Sequence, residues 1–93
     1  MLRMDAFEAL ADPTRRRILE MLSERELAAG EIARRFDMTP PAVSQHLKIL
    51  RNAALVRVRN DAQRRMYALD PTGLAEFEQW LSRTMPPQKR TPQ

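Results

Sequence analysis

Cysteine is absent from the 93-residue chain, and histidine occurs once, at His46. Disulfides, thiolate metal sites, thiol nucleophiles and thiol redox switches are thereby excluded, leaving one imidazole and the carboxylates for metal or acid–base chemistry. Glycine is also scarce, at Gly30 and Gly73 only, so no glycine-rich loop exists to cradle a nucleotide phosphate. With neither a nucleophile beside a base nor a phosphate loop, no catalytic constellation can be assembled, and the chain reads as non-enzymatic and without cofactor. Long hydrophobic runs are missing too. No uncharged apolar stretch approaches the roughly 18 residues of a membrane span, and Met1-Leu2-Arg3-Met4-Asp5 leads into no apolar segment of the secretory kind. These absences predict a cytoplasmic protein with no membrane association.

What is present is the balance of one small folded domain, with 43% hydrophobic and 30% charged residues. The net charge of +4 is unevenly placed: residues 1–38 sum to −1, residues 39–65 to +5 and residues 66–93 to zero. A basic segment between neutral flanks is the electrostatic footprint of a surface that meets phosphates, with a merely solvated face as the plainer alternative.

Met4, Phe7 and Leu10 recur at helical spacing, and Asp12-Pro13 then supplies an N-cap and a proline at the first helical position. A first helix ends there and a second begins, with Ile18, Leu19 and Leu22 as its apolar stripe and an expected end near Arg25. Arg15, Arg16 and Arg17 are consecutive, so on a helix they point in different directions; a solvated face with a structural ion pair for Arg15 is the favoured reading. Glu31 to Phe36 predicts a short third helix, Asp37-Met38-Thr39 a tight turn, and Thr39-Pro40 the cap and first position of a fourth helix running to about Asn52. Two short helices about such a turn form the helix-turn-helix pattern.

Val56 and Val58 then alternate with Arg57 and Arg59, and Tyr67 and Leu69 with Met66 and Ala68, around Asn60-Asp61-Ala62-Gln63. This predicts a hairpin with a four-residue polar tip. Asp70-Pro71-Thr72 caps a last helix with Leu74, Phe77, Trp80 and Leu81 on one stripe. The predicted fold is mainly α with a two-stranded wing, in the order ααααββα, comprising a domain at residues 4–83 and a disordered tail at 84–93.

On the fourth helix Val43, Leu47 and Leu50 fall on one face, which belongs to the core, while Pro41, Ser44, Gln45 and Lys48 cluster opposite. A hydroxyl, a bidentate-capable amide and a cation near a helix N-terminus are the inventory of a major-groove reader: Gln45 for adenine, Ser44 for a base edge or phosphate, Lys48 for phosphate or guanine. Ordinary surface residues would look similar. His46 lies at the edge of the apolar stripe, where a hydrogen-bonded boundary histidine is favoured and a phosphate contact is allowed. Arg57, Arg59, Arg64 and Arg65 surround the hairpin tip and would let a wing lie along the DNA backbone or in the minor groove, the alternative being a solubilised ribbon. Phe7 and Leu10, with Leu74, Phe77, Trp80 and Leu81, give the terminal helices more apolar surface than so small a core needs, which an isologous dimer would bury; ordinary packing within one chain is the alternative.

The stretches Phe7-Glu8-Ala9-Leu10-Ala11-Asp12-Pro13-Thr14-Arg15, Val43-Ser44-Gln45-His46-Leu47-Lys48-Ile49-Leu50 and Arg64-Arg65-Met66-Tyr67-Ala68-Leu69 resemble the ArsR family of bacterial winged-helix repressors over about residues 4 to 82. The resemblance implies a homodimer through the first and last helices, with two recognition helices entering successive major grooves of a palindromic operator, its own promoter among the candidates. Carried over, Thr39, Pro41, Ser44, Gln45, His46 and Lys48 face DNA from the helix, and Arg57, Arg59, Arg64 and Arg65 from the wing. The family's soft-metal sensors carry cysteines where this chain has Ala28 and Gly30, no histidine follows His46 for a zinc site, and the redox-sensing cysteine pair is missing. Metal-independent regulation is therefore expected, with a small-molecule or protein inducer unidentified. Ala54 and Ala62 stand where glycine is usual in the family, although alanine tolerates positive φ poorly. A winged-helix protein-interaction module or corepressor partner is the competing function, and sequence-independent DNA compaction a further one; the charge on residues 39–65 speaks against the former.

Overall fold

A computed structural model describes residues 4–87. Five helices and three strands follow in the order α1 (Met4–Leu10), α2 (Pro13–Leu22), β1 (Leu27–Ala28), α3 (Ala29–Phe36), α4 (Pro40–Asn52), β2 (Val56–Asp61), β3 (Arg64–Leu69) and α5 (Pro71–Thr84). The sheet is antiparallel with β3 at its centre, in the order β1-β3-β2.

Local capping chemistry sets most boundaries. Asp12, Thr39 and Asp70 each precede a proline and accept backbone N–H bonds from Arg15 (3.0 Å), Ala42 (3.3 Å) and Thr72 (2.9 Å), starting α2, α4 and α5. The turn between α3 and α4 is made at Asp37, whose left-handed φ of 54° an aspartate tolerates better than most residues.

The structure corrects the predicted elements in four places. The second helix stops at Leu22 instead of near Arg25, because the chain must leave it for Leu27 to enter the sheet as the unpredicted β1, paired Leu27↔Tyr67 and Ala28↔Met66. The third helix begins at Ala29 instead of Glu31. Glu31 is its third residue, and its carboxylate reaches back to accept the Ala28 N–H at 2.9 Å, as a capping acid does. The hairpin tip is the two residues Ala62 and Gln63, since Asp61 pairs with Arg64. Finally, β3 is buried at both Met66 and Tyr67, which point to opposite faces of the sheet at the positions paired with β1, so the expected alternation fails there.

The last helix includes Thr84, one residue beyond the predicted domain end, with its hydroxyl donating to the Trp80 and Leu81 carbonyls. Met85 to Pro87 are exposed and irregular, and the rest of the predicted tail lies outside the described residues. The core joins Ile18, Leu22, Leu27, Ile32, Val43, Leu47, Leu50, Leu55 and Val56, and every helix except α5 contributes a residue to this buried cluster. α5 is instead fastened at its start, where the Gly73 N–H donates to the Ala54 carbonyl at 3.0 Å and the Asp70 N–H to Leu55. Ala54 and Ala62 both hold left-handed φ, of 58° and 57°. The backbone thus keeps the conformations for which glycine is usual, at the steric cost of a Cβ in each.

Candidate nucleic-acid interface

The fourth helix is divided lengthwise. Val43, Leu47 and Leu50 are buried, and Thr39, Pro41, Ser44, Gln45 and Lys48 are exposed together from its N-cap through its third turn. The buried face seats the helix in the core and turns the polar face outward. Two residues that pattern reading missed, Arg51 and Asn52, extend this exposed face toward the hairpin.

His46 stands apart from that face. Its Nδ1 lies 3.4 Å from Arg15 Nη1 and 3.9 Å from Asp12 Oδ2, at the corner between α1 and α2. Arg15 is the centre of this corner. Its Nε donates to the Ala9 carbonyl at 2.8 Å and its Nη2 to the Glu8 carbonyl at 3.0 Å, while Arg16 Nη1 donates to the Leu10 carbonyl at 2.8 Å. The last carbonyls of α1, which have no partner within their own helix, are thus capped by the first turn of α2. The predicted ion pair of Arg15 is replaced by these carbonyl bonds. Arg17 instead lies 5.1 Å from the centre of the Phe36 ring, so the three consecutive arginines serve three different contacts. Asp12 is held below its ordinary carboxylate pKa, first by the Arg15 backbone N–H and then by the charges of Arg15 and His46.

The register splits the four wing arginines. Arg57, Arg59 and Arg64 pair with Ala68, Met66 and Asp61 and share one face of the ribbon; Arg65 pairs with Asn60 and shares the other with Tyr67. Arg59 is not free for a ligand: its guanidinium is bidentate on Glu26, at 2.9 and 2.6 Å. This bond lowers the Glu26 pKa and raises that of Arg59. The four arginines expected around the tip are thus divided between the two faces of the ribbon, with Arg59 engaged by Glu26. Arg65 lies over the Tyr67 ring at 5.9 Å and borders a cleft of about 420 Å³ with Ser44, Leu47, Lys48, Arg51 and Asn52.

Of the six apolar residues expected at a dimer face, Leu10 and Leu74 pack in part against the protomer's own core. Phe7 meets Phe77 at 5.6 Å and Trp80 at 4.8 Å, edge to face, in a half-buried aromatic cluster between α1 and α5. Beyond it Leu81 is 40% exposed and Met85 46%.

A helix-turn-helix precedes a basic hairpin, and residues 12–58 match the family model described as "Bacterial regulatory protein, arsR family". The chain belongs to the ArsR family. Its relatives are transcriptional regulators. The HTH-type transcriptional regulator Rv2034 of Mycobacterium tuberculosis is 54% identical over 78 residues, 84% of this chain and 73% of that protein. The transcriptional repressor SdpR of Bacillus subtilis is 36% identical over 77 residues, 83% of this chain and 86% of that one. Among solved structures, the homodimeric winged helix-turn-helix DNA-binding domain of Mb0332 from Mycobacterium bovis superposes with a TM-score of 0.72 at 27% identity, covering 84% of this chain and 72% of that one. This ArsR-family chain is accordingly a transcriptional regulator with a winged helix-turn-helix fold. It lacks the cysteines of the metal sensors, and no group of three or more metal-ligating side chains occurs among the described residues. No helix among those residues is long and apolar enough to cross a membrane.

Proposed function

We propose that the protein is a homodimeric repressor that binds a palindromic operator, laying α4 of each protomer in a major groove and its hairpin along the neighbouring backbone. The observation that carries this reading is the divided α4, whose exposed Pro41, Ser44, Gln45 and Lys48 stand opposite the buried Val43, Leu47 and Leu50. The Gln45 amide matches adenine N6 and N7, Lys48 matches guanine or phosphate, and Ser44 a base edge or phosphate. The Phe7, Phe77 and Trp80 cluster, continued by exposed Leu81, supports α1 and α5 as the dimer face, in keeping with the homodimeric relative. Two-fold symmetry of the protein then carries over to the operator. The repressive sense follows the relative named a transcriptional repressor, with bound protein occluding a promoter in the cytoplasm. DNA binding needs no metal, and relief falls to a small organic molecule or a partner protein. Nothing observed favours a protein-interaction module.

The test is fluorescence anisotropy on the upstream intergenic DNA and on unrelated DNA of equal length, across salt and with a chelator present. Tight, salt-sensitive and sequence-selective binding is expected; equally weak binding to both duplexes overturns the reading. Sedimentation velocity of Phe77→Glu tests the dimer face, with a monomer expected and an unchanged dimer counting against it.

A further inference from the structure

The cleft between the second half of α4 and the inner face of the hairpin is lined by Ser44, Leu47, Lys48, Arg51, Asn52, Arg65 and Tyr67. It gathers three cations and no carboxylate. Four other clefts each carry an acid: Glu31 beside Arg34 and Arg64, Asp37 at the helix-turn-helix corner, Glu78 on α5, and Glu20 of α2 with Glu24 just beyond its end. Lys48 and Arg51, three residues apart, lie on one side of α4 and face Arg65 across the gap. Leu47 and Tyr67 are buried and give the cleft an apolar floor, which concentrates the field of the surrounding charges. The Tyr67 ring backs the guanidinium of Arg65 and orients it, leaving its N–H edge to donate. Convergent like charges over a low-dielectric floor repel one another until an anion arrives.

We propose that this cleft seats one phosphate of the DNA backbone in each half-site, clamped between Lys48 and Arg51 of α4 and Arg65 of the hairpin, with the Ser44 hydroxyl as a further donor. The seat rests on the reading of the protein as a DNA-binding regulator. It assigns distinct work to the arginines of the wing: Arg65 joins the recognition helix in holding one phosphate, whereas Arg59 is held by Glu26 on the opposite face. The hairpin thereby locks the angle of α4 in the groove at a contact that carries no base information.

The experiment measures anisotropy across a salt series with a duplex selected by the wild-type protein from a random library, using Arg51→Ala, Arg65→Ala and, as a remote control on α5, Arg83→Ala. Circular dichroism melting verifies that each variant folds. Arg51→Ala and Arg65→Ala should each lower the salt slope of the dimer by up to about 1.8, about 0.9 for the one phosphate contact weakened in each of two half-sites, and Arg83→Ala should leave it unchanged. Duplexes with single methylphosphonate linkages then locate the seat. One neutralised linkage per half-site should make wild type, Arg51→Ala and Arg65→Ala bind alike. If the two variants are silenced by different linkages, or their slopes match wild type, the seat is overturned. Inorganic phosphate should compete no better than chloride at equal ionic strength; stronger competition that Arg65→Ala abolishes would reassign the cleft to a free anion and overturn the DNA assignment. Failure of the wild-type protein to enrich any duplex would instead overturn the regulator reading.

Discussion

Replacing Gly73 by alanine tests how α5 is fastened to the DNA-binding half of the molecule. Gly73 is buried at the first turn of α5, and a Cβ there would lie 2.2 Å from the Ala54 carbonyl oxygen and 2.7 Å from its carbon. Ordinary contact needs about 3.5 Å, so the start of the helix must withdraw by roughly 1.3 Å. That withdrawal also stretches the 3.0 Å bond from the Gly73 N–H to the same carbonyl. Overpacking against rigid backbone costs about 1–3 kcal/mol and the lost bond about 1, offset by about 1 from the better helix propensity of alanine. A net loss of about 1–3 kcal/mol is expected in urea unfolding followed by Trp80 fluorescence. Because α5 carries Phe77, Trp80 and Leu81, the dimer should loosen in parallel in sedimentation velocity. Gly30→Ala is the contrast: the nearest atom to its added Cβ is Arg34 Nη1 at 3.7 Å, so stability should hold or rise slightly. An unchanged or higher urea midpoint for Gly73→Ala would refute the close-approach reasoning.

Ala62→Gly should raise stability by about 0.5–1 kcal/mol in the same assay, since a left-handed alanine costs roughly 1–2 kcal/mol and the added chain freedom of glycine returns about half of that. Gln45→Ala should cost about 1–3 kcal/mol on a selected duplex and little on random DNA, measured by anisotropy; a uniform loss on both would show that Gln45 reads no base. Glu31 has its pKa lowered mainly by the Ala28 N–H it accepts, then by the charges of Arg25, Arg64 and Arg34. Its folded value is below its unfolded one, so the unfolded chain takes up the proton first. The stabilisation is whole above the usual 4.5 of a glutamate and lost as pH falls through the lowered folded value. Glu31→Gln keeps the capping oxygen and removes the titration, so its stability should decline less steeply than wild type between about pH 5 and about pH 3.

Much of this fold was legible because its boundaries are local chemistry. Asp12, Thr39 and Asp70, each followed by proline, announce helix starts that need no distant partner. The two-residue β1 was not legible, since Leu27 and Ala28 become a strand only by pairing with Met66 and Tyr67 some forty positions away. The engagement of Arg59 was hidden for a related reason, since its partner Glu26 lies 33 positions away and meets it only in the folded sheet. Arg51 passed unnoticed because helical position alone makes it an ordinary exposed cation; only the fold brings Arg65 of the hairpin across from it and Lys48. Arg15 was seen as an ion-pairing residue because sequence reveals charges and conceals the unpaired carbonyls at the end of α1.

The sheet order has a consequence for solubility. β2 is an outer strand along its whole length, and β1 covers β3 only at Met66 and Tyr67, so the far end of the ribbon offers open backbone on both margins. Such margins invite another strand to add itself, the first step of edge-to-edge aggregation. Here Arg57 and Arg59 line one margin and Arg64 and Arg65 the other. A second ribbon of the same kind meets Arg57 on one margin and Arg64 and Arg65 on the other. Arginines proposed to face nucleic acid would thereby also keep the hairpin from pairing with itself.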